Sequence, residues 1–196
     1  MPSRVSPTGG ATPRATADTK ARILDAAEEV VLRDGVARLT LDAAAAEAGL
    51  SKGGILYHFP TRDALVAAMV AKIIEEFDRD INDRLEDDEQ PGRFLRAYIG
   101  ATMEPGAPHP DRQDRLGAAL IAAAAAQPEL LAPLRLAADR WQEELEHDGL
   151  DPTTATVLRL ACDGLWLCDL FGLAPPTASR RTKVGRALEQ LARRPS

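Results

Sequence analysis

From Asp18 onward the chain keeps one rhythm, with apolar side chains three and four positions apart and charged residues between them. Ile23, Ala26, Ala27, Val30 and Val31 recur in this way among Arg22, Asp25, Glu28, Glu29 and Arg33, which predicts an amphipathic helix. Gly35 ends it as a C-terminal cap. Thr40 predicts the N-cap of a second helix, LDAAAAEA, that stops at Gly49. Ser51 caps a third, and Thr61, after Pro60, caps a fourth. In the fourth, Val66, Val70, Ile73, Phe77 and Ile81 form a long stripe running toward the acidic segment at 86–89.

The later pattern is more apolar. PGRFLRAYIGATM predicts a fifth helix, and a Pro-rich loop spans 104–114. RLGAALIAAAAAQ and a segment starting at Pro128 and stopping at Gly149 follow, Pro suiting a first helical turn. TTATVLRLACDGLWLCDLFGL, opened by Asp151-Pro152, is apolar nearly all round and therefore buried on most sides. A last helix runs from about Thr177 to Arg194. The expectation is an all-α protein of about nine helices, with a disordered tail at 1–17, a three-helix unit at 18–62 and a larger helical domain at 63–196. The tail, MPSRVSPTGGATPRATA, is rich in Pro, Gly, Ser and Thr.

Composition narrows the class. Of 196 residues, 45% are hydrophobic but only 4% aromatic, and scarce β-branched runs favour helices over strands. No apolar stretch reaches the ~20 residues of a membrane span, so a cytoplasmic location is expected. Cys162 and Cys168 sit in an apolar segment and read as buried thiols. The net charge is −6, yet residues 1–63 balance eight basic against eight acidic side chains. All the excess acid therefore lies in the second part, and a DNA-binding surface must come from local placement of charge.

The third helix, SKGGILYHF, carries two adjacent glycines at a cost of about 1 to 2 kcal/mol. Counted at 100° per residue, Ile55, Leu56 and Phe59 share one meridian, with Lys52 on that side, and Gly53, Gly54, Tyr57 and His58 face away. Two short helices joined by a tight turn at Gly49, packed on an amphipathic helix, match a helix-turn-helix reader. A generic three-helix bundle fits the same spacing. Missing side chains on the outer face let a main chain press against DNA. Ser51 and the first-turn N–H groups would then face phosphate, and Lys52 would reach a phosphate or base.

Residues 19–70, TKARILDAAEEVVLRDGVARLTLDAAAAEAGLSKGGILYHFPTRDALVAAMV, resemble the N-terminal DNA-binding domain of the TetR family of bacterial transcriptional repressors. The resemblance rests on RILDAA, the Gly35 stop, TLDAAAAEAGLS, YHF and the capped TRDAL. It implies a homodimer with an N-terminal helix-turn-helix domain, a helical C-terminal domain that binds a small ligand, and a pseudo-palindromic operator. It also implies phosphate contacts from Thr40, Thr61 and Arg62. The family's usual Leu-Tyr-x-His-Phe reads Ile55-Leu56-Tyr57-His58-Phe59 here. Leu thus stands at the usual Tyr position, with Tyr57 next to it.

Beyond Val70 the resemblance is architectural. The last two long helices would pair with a second subunit, with Leu158, Cys162, Leu165, Leu188 and Leu191 as interface candidates. Met69, Ile73, Phe77, Tyr98, Met103, Trp141 and Trp166 are candidate pocket residues for a small-molecule effector, and each also fits plain core packing. Asp163 and Asp169 read as backbone caps or dimer-face polar contacts. The scattered His58, His109 and His147 offer no metal-ligand spacing, and no catalytic constellation or cofactor motif stands out. The expectation is a non-enzymatic, ligand-responsive DNA-binding regulator, most simply a repressor. The competing reading is a helical small-molecule-binding protein or enzyme without DNA binding.

Overall fold

The computed structural model describes residues 13–86, 88–103, 111–124 and 127–193. Among these residues there are nine α-helices and no strand. The chain divides into two compact units, Met1–Leu65 and Val66–Ser196.

The first unit holds α1 (Pro13–Asp34), α2 (Leu41–Glu47), α3 (Lys52–His58) and the first turn of α4 (Arg62–Leu85). Helix α1 starts five residues before the expected Asp18, so the end of the stretch read as a tail is helical. Its apolar stripe forms the core: Ile23, Ala27 and Val30 are buried, joined by Leu39, Ala44, Ile55 and Phe59. Helix α1 packs on α2, and α2 packs on α3. The predicted caps form, with Thr40 Oγ1 accepting from Ala43 N at 3.0 Å, Ser51 Oγ from Gly54 N at 3.2 Å, and Thr61 Oγ1 from Ala64 N at 3.0 Å. Each satisfies one of the orphan N–H groups that open a helix. Between α2 and α3, Gly49 takes a left-handed φ of 65°, where glycine has no steric penalty.

The second unit contains the rest of α4, α5 (Arg93–Thr102), α6 (Arg112–Ala124), α7 (Ala132–Glu146), α8 (Pro152–Phe171) and α9 (Ala178–Leu191). Helix α8 packs against α5, α6 and α7, and α9 packs against α5. The expected helix from Pro128 is instead a 3₁₀ turn, Pro128–Leu131, leading into α7. The second proline, Pro133, sits in the first turn of α7, where its missing N–H costs nothing. The expected loop at 104–114 gives way to α6 at Arg112, while its residues 104–110 lie outside those described.

The core of this unit is tied by charges from distant parts of the chain. Asp148 accepts from Phe94 N at 3.1 Å and Leu95 N at 2.9 Å, capping α5 from 54 residues away. Arg96, buried, binds Asp88 through Nε at 2.8 Å and the Ala192 carbonyl through Nη1 at 3.2 Å. Hydrogen bonding to Arg96 lowers the Asp88 carboxyl to about 2. Arg181 pairs with Asp169 in the interior and donates to the Thr102 carbonyl at 3.0 Å. Asp169 is therefore an interior ion-pair partner, neither a backbone cap nor a dimer-face contact. A buried charge needs such a partner, because desolvation alone would be prohibitive.

Candidate DNA-reading helix and ligand cleft

Ile55 and Phe59, four residues apart, define the buried meridian of α3. Lys52, Gly53, Leu56 and Tyr57 are exposed, and Gly54 and His58 are half-buried. This corrects the expected orientation: the outer face is centred on Gly53, Leu56 and Tyr57, with Lys52 beside them. Leu56, assigned to the core by its hydropathy, is 41% exposed, and Tyr57 is 76% exposed. His58 meets Tyr57 edge-on at 5.1 Å between ring centroids.

Neither glycine is required by the protein's own packing. A Cβ on Gly53 would meet nothing closer than Ser51 Oγ at 4.0 Å, and one on Gly54 would make only ordinary contacts, the nearest to Ser51 Oγ at 3.5 Å. Lys52 is not aimed inward. Its ammonium lies 3.2 Å from Asp42, both side chains well exposed, and such a pair holds weakly.

The capping hydroxyls of Thr40, Ser51 and Thr61 accept from backbone N–H groups, and all three residues are exposed. Arg62 behaves differently. Its Nε donates to the Leu39 carbonyl at 2.8 Å and its Nη2 to the Val36 carbonyl at 3.0 Å, with Asp63 3.7 Å from Nη1. The guanidinium thus staples the turn before α2 to the start of α4.

In the second unit, a cleft of about 320 Å³ is lined by Asp78, Ile81, Asn82, Leu85, Phe94, Arg140, Trp141 and Glu144. Of the expected pocket residues, only Trp141 reaches it. Trp141 donates through Nε1 to Asp78 at 2.7 Å and packs edge-on against Phe77 and Tyr98 at 5.1 and 5.9 Å. Burial first, and the Asp163 carboxylate second, hold the Tyr98 phenol well above its ordinary value. It stays protonated and donates to Asp163 at 2.6 Å, while Arg159 holds the other Asp163 oxygen at 2.7 Å. Asp163 is thus the base of a core network rather than a cap. Met69 and Met103 are buried, Ile73 is half-buried, and Trp166 donates to Asp114 at 2.9 Å away from the cleft lining.

Of the interface candidates, Leu158, Cys162 and Leu188 are buried within the protomer, Leu165 is half-buried, and only Leu191 is exposed. Burial pushes the Cys162 thiol up to about 12, so it is inert as a nucleophile. The exposed apolar side chains of α8 are Val157, Leu160, Leu167 and Phe171. Spaced by three, seven and four, they form one stripe.

Residues 23–69 match the family model for bacterial regulatory proteins of the tetR family, and residues 92–193, more than half of the chain, match that for the tetracyclin repressor-like C-terminal domain. The chain belongs to the TetR family. This TetR-family regulator is 39% identical over 61 residues to the HTH-type transcriptional regulator TtgR of Pseudomonas putida, a match covering 31% of this chain and 29% of that one. Its fold resembles that of the multidrug-binding protein EbrR in complex with imidazole, with TM-score 0.61 and 31% identity over 90% of this chain and 96% of the other. EbrR has also been solved with ethidium and with malachite green. A TetR-family structure from Streptomyces coelicolor A3 gives TM-score 0.66 and 29% identity, covering 87% of this chain and 98% of that chain. Among the described residues no helix is long and apolar enough to cross a membrane, and no three His, Cys, Asp or Glu side chains converge as a metal site.

Proposed function

We propose that this TetR-family regulator is a homodimeric, cytoplasmic repressor without enzymatic activity that binds a pseudo-palindromic operator and releases it when a small molecule occupies the C-terminal unit. The observation that carries the DNA-binding part is Gly53. It is exposed on the same face as Tyr57, and a Cβ there would meet nothing closer than 4.0 Å. Its helix-propensity cost therefore has no internal return. Close approach of a groove to the bare main chain supplies one. Lys52 exchanges Asp42 for phosphate, and the O–H groups of Thr40, Ser51 and Thr61 donate to the DNA backbone.

Helix α8 offers the dimer surface through Val157, Leu160, Leu167 and Phe171, an exposed apolar stripe that a lone protomer would leave in water. Two recognition helices about 34 to 36 Å apart then fit successive turns of one duplex face. Helix α4 starts in the first unit and continues into the second, and it transmits ligand occupancy to that spacing.

The cleft favours a flat aromatic cation. Its wall is the buried Trp141 indole, with Phe77 and Tyr98 behind it; Asp78 is ion-paired with Arg140, and Glu144 adds a second, exposed carboxylate at the rim. The ethidium and malachite green complexes of EbrR support that class. Binding to duplex DNA flanking the protein's own gene, followed by gel shift, tests the reading. A specific shift that is lost in Tyr57→Ala and reversed by an effector supports it. Equal affinity for any duplex, or none, favours a helical binding protein without DNA recognition. In the absence of DNA, ethidium should quench tryptophan emission, and Glu144→Gln, which leaves the Trp141–Asp78 hydrogen bond in place, should weaken that quenching.

A further inference from the structure

The recognition helix Lys52–His58 contains no Arg, Asn, Gln, Asp or Glu. Lys52 aside, it lacks the side chains that read guanine or adenine by paired hydrogen bonds, or accept from cytosine. Lys52, held only by a weak exposed pair with Asp42 at 3.2 Å, turns to phosphate when DNA is bound, and His58 is half-buried and edge-on to the Tyr57 ring. What the outer face presents to a base edge is the Tyr57 phenol and the Leu56 isobutyl group, which is 41% exposed. An isobutyl group gains nothing from a phosphate. Its one apolar counterpart in the major groove is the C5-methyl of thymine. Gly53, three residues earlier on the same face and open above its Cα, leaves no side chain to hold a base edge away from Leu56.

We infer that Leu56 reads a thymine methyl group in each operator half-site, making it a specificity-determining residue. This rests on α3 entering the major groove. Burying one methyl against leucine corresponds to about a 4-fold preference for thymine over uracil per half-site, and about 15-fold over the two half-sites of a dimer.

The test uses the full chain and a duplex selected from a random pool, with each half-site thymine replaced in turn by deoxyuracil and affinity read by fluorescence anisotropy. One position should weaken wild-type binding about 4-fold per half-site. Leu56→Ala should lose a similar factor on the thymine duplex and become indifferent to uracil, with an unchanged circular-dichroism melt. Leu56→Met, which keeps an apolar reach, should retain the preference. A wild type that discriminates at no position overturns the inference, as does Leu56→Ala with its discrimination intact. A chain that selects no sequence at all overturns the DNA-binding reading and the inference with it, whereas one that selects a sequence but ignores methyl groups overturns the inference alone.

Discussion

Arg62→Ala separates two roles that one side chain could play at the start of α4. As a phosphate contact, the residue would matter only when DNA is present. The structure instead spends its guanidinium on the carbonyls of Leu39 and Val36, at 2.8 and 3.0 Å. Leu39 is fully buried, so its carbonyl has little recourse to water once the partner is gone. A hydrogen bond to a charged group contributes about 1.5 to 3 kcal/mol. The Arg62 side chain is one-third exposed, which places the pair of bonds together near the lower end, about 2 kcal/mol. For a chain of this size that lowers the melting temperature by roughly 4 to 8 °C if unfolding is cooperative. Thermal and urea denaturation without DNA read it directly. A melt identical to wild type, together with a salt slope of DNA binding reduced by about one, would refute the staple and restore the phosphate contact.

Other perturbations probe different parts of the fold. Gly53→Leu should fold as well as wild type, or slightly better, because the added side chain meets open space; operator affinity in a gel shift should fall by at least about tenfold, the scale of 1.4 kcal/mol. Gly92→Ala forces a Cβ at φ 83°, 2.8 Å from both the Ala192 carbonyl oxygen and Leu150 Cδ1, and should cost about 2 to 4 kcal/mol in urea denaturation. Asp88 titrates at about 2 when folded, below its ordinary 3.8, so its contribution is complete above about pH 4 and is lost as pH falls toward 2. The wild-type urea midpoint should drop over that window, and Asp88→Asn should remove that part of the drop. Leu160→Asp, on the exposed stripe of α8, should shift sedimentation from dimer toward monomer while leaving the helical content unchanged.

Local signals were readable and long-range ones were not. Thr40, Ser51, Thr61, Asp151 and Thr177 all cap helices as hydroxyl or carboxylate side chains do just before an apolar repeat. The phase of α3 was recoverable from Ile55 and Phe59 alone, since a four-residue step returns to nearly the same meridian. Leu56 misled because hydropathy drew it inward, although it lies 100° from Ile55. The staples had no local signature: Arg62 reaches Leu39, Asp148 reaches α5, and Arg96 reaches Ala192 across 96 residues. The same holds for the cleft. Trp141 and Asp78 are 63 positions apart, and only the packing of α4 and α7 shows that they share a wall. Leu158, Cys162 and Leu188 illustrate the opposite problem, since an apolar residue on a terminal helix reads alike whether it faces its own core or a partner.

The most direct test of DNA recognition is a competition titration of the full chain on a labelled duplex selected from a random pool, repeated over a series of salt concentrations. Recognition through α3 predicts that a scrambled competitor is at least about 10³-fold weaker, that affinity falls steeply and linearly on a log–log salt plot, and that Gly53→Leu erases the preference for the selected duplex. Equal competition by selected and scrambled duplexes, at any salt concentration, would contradict it.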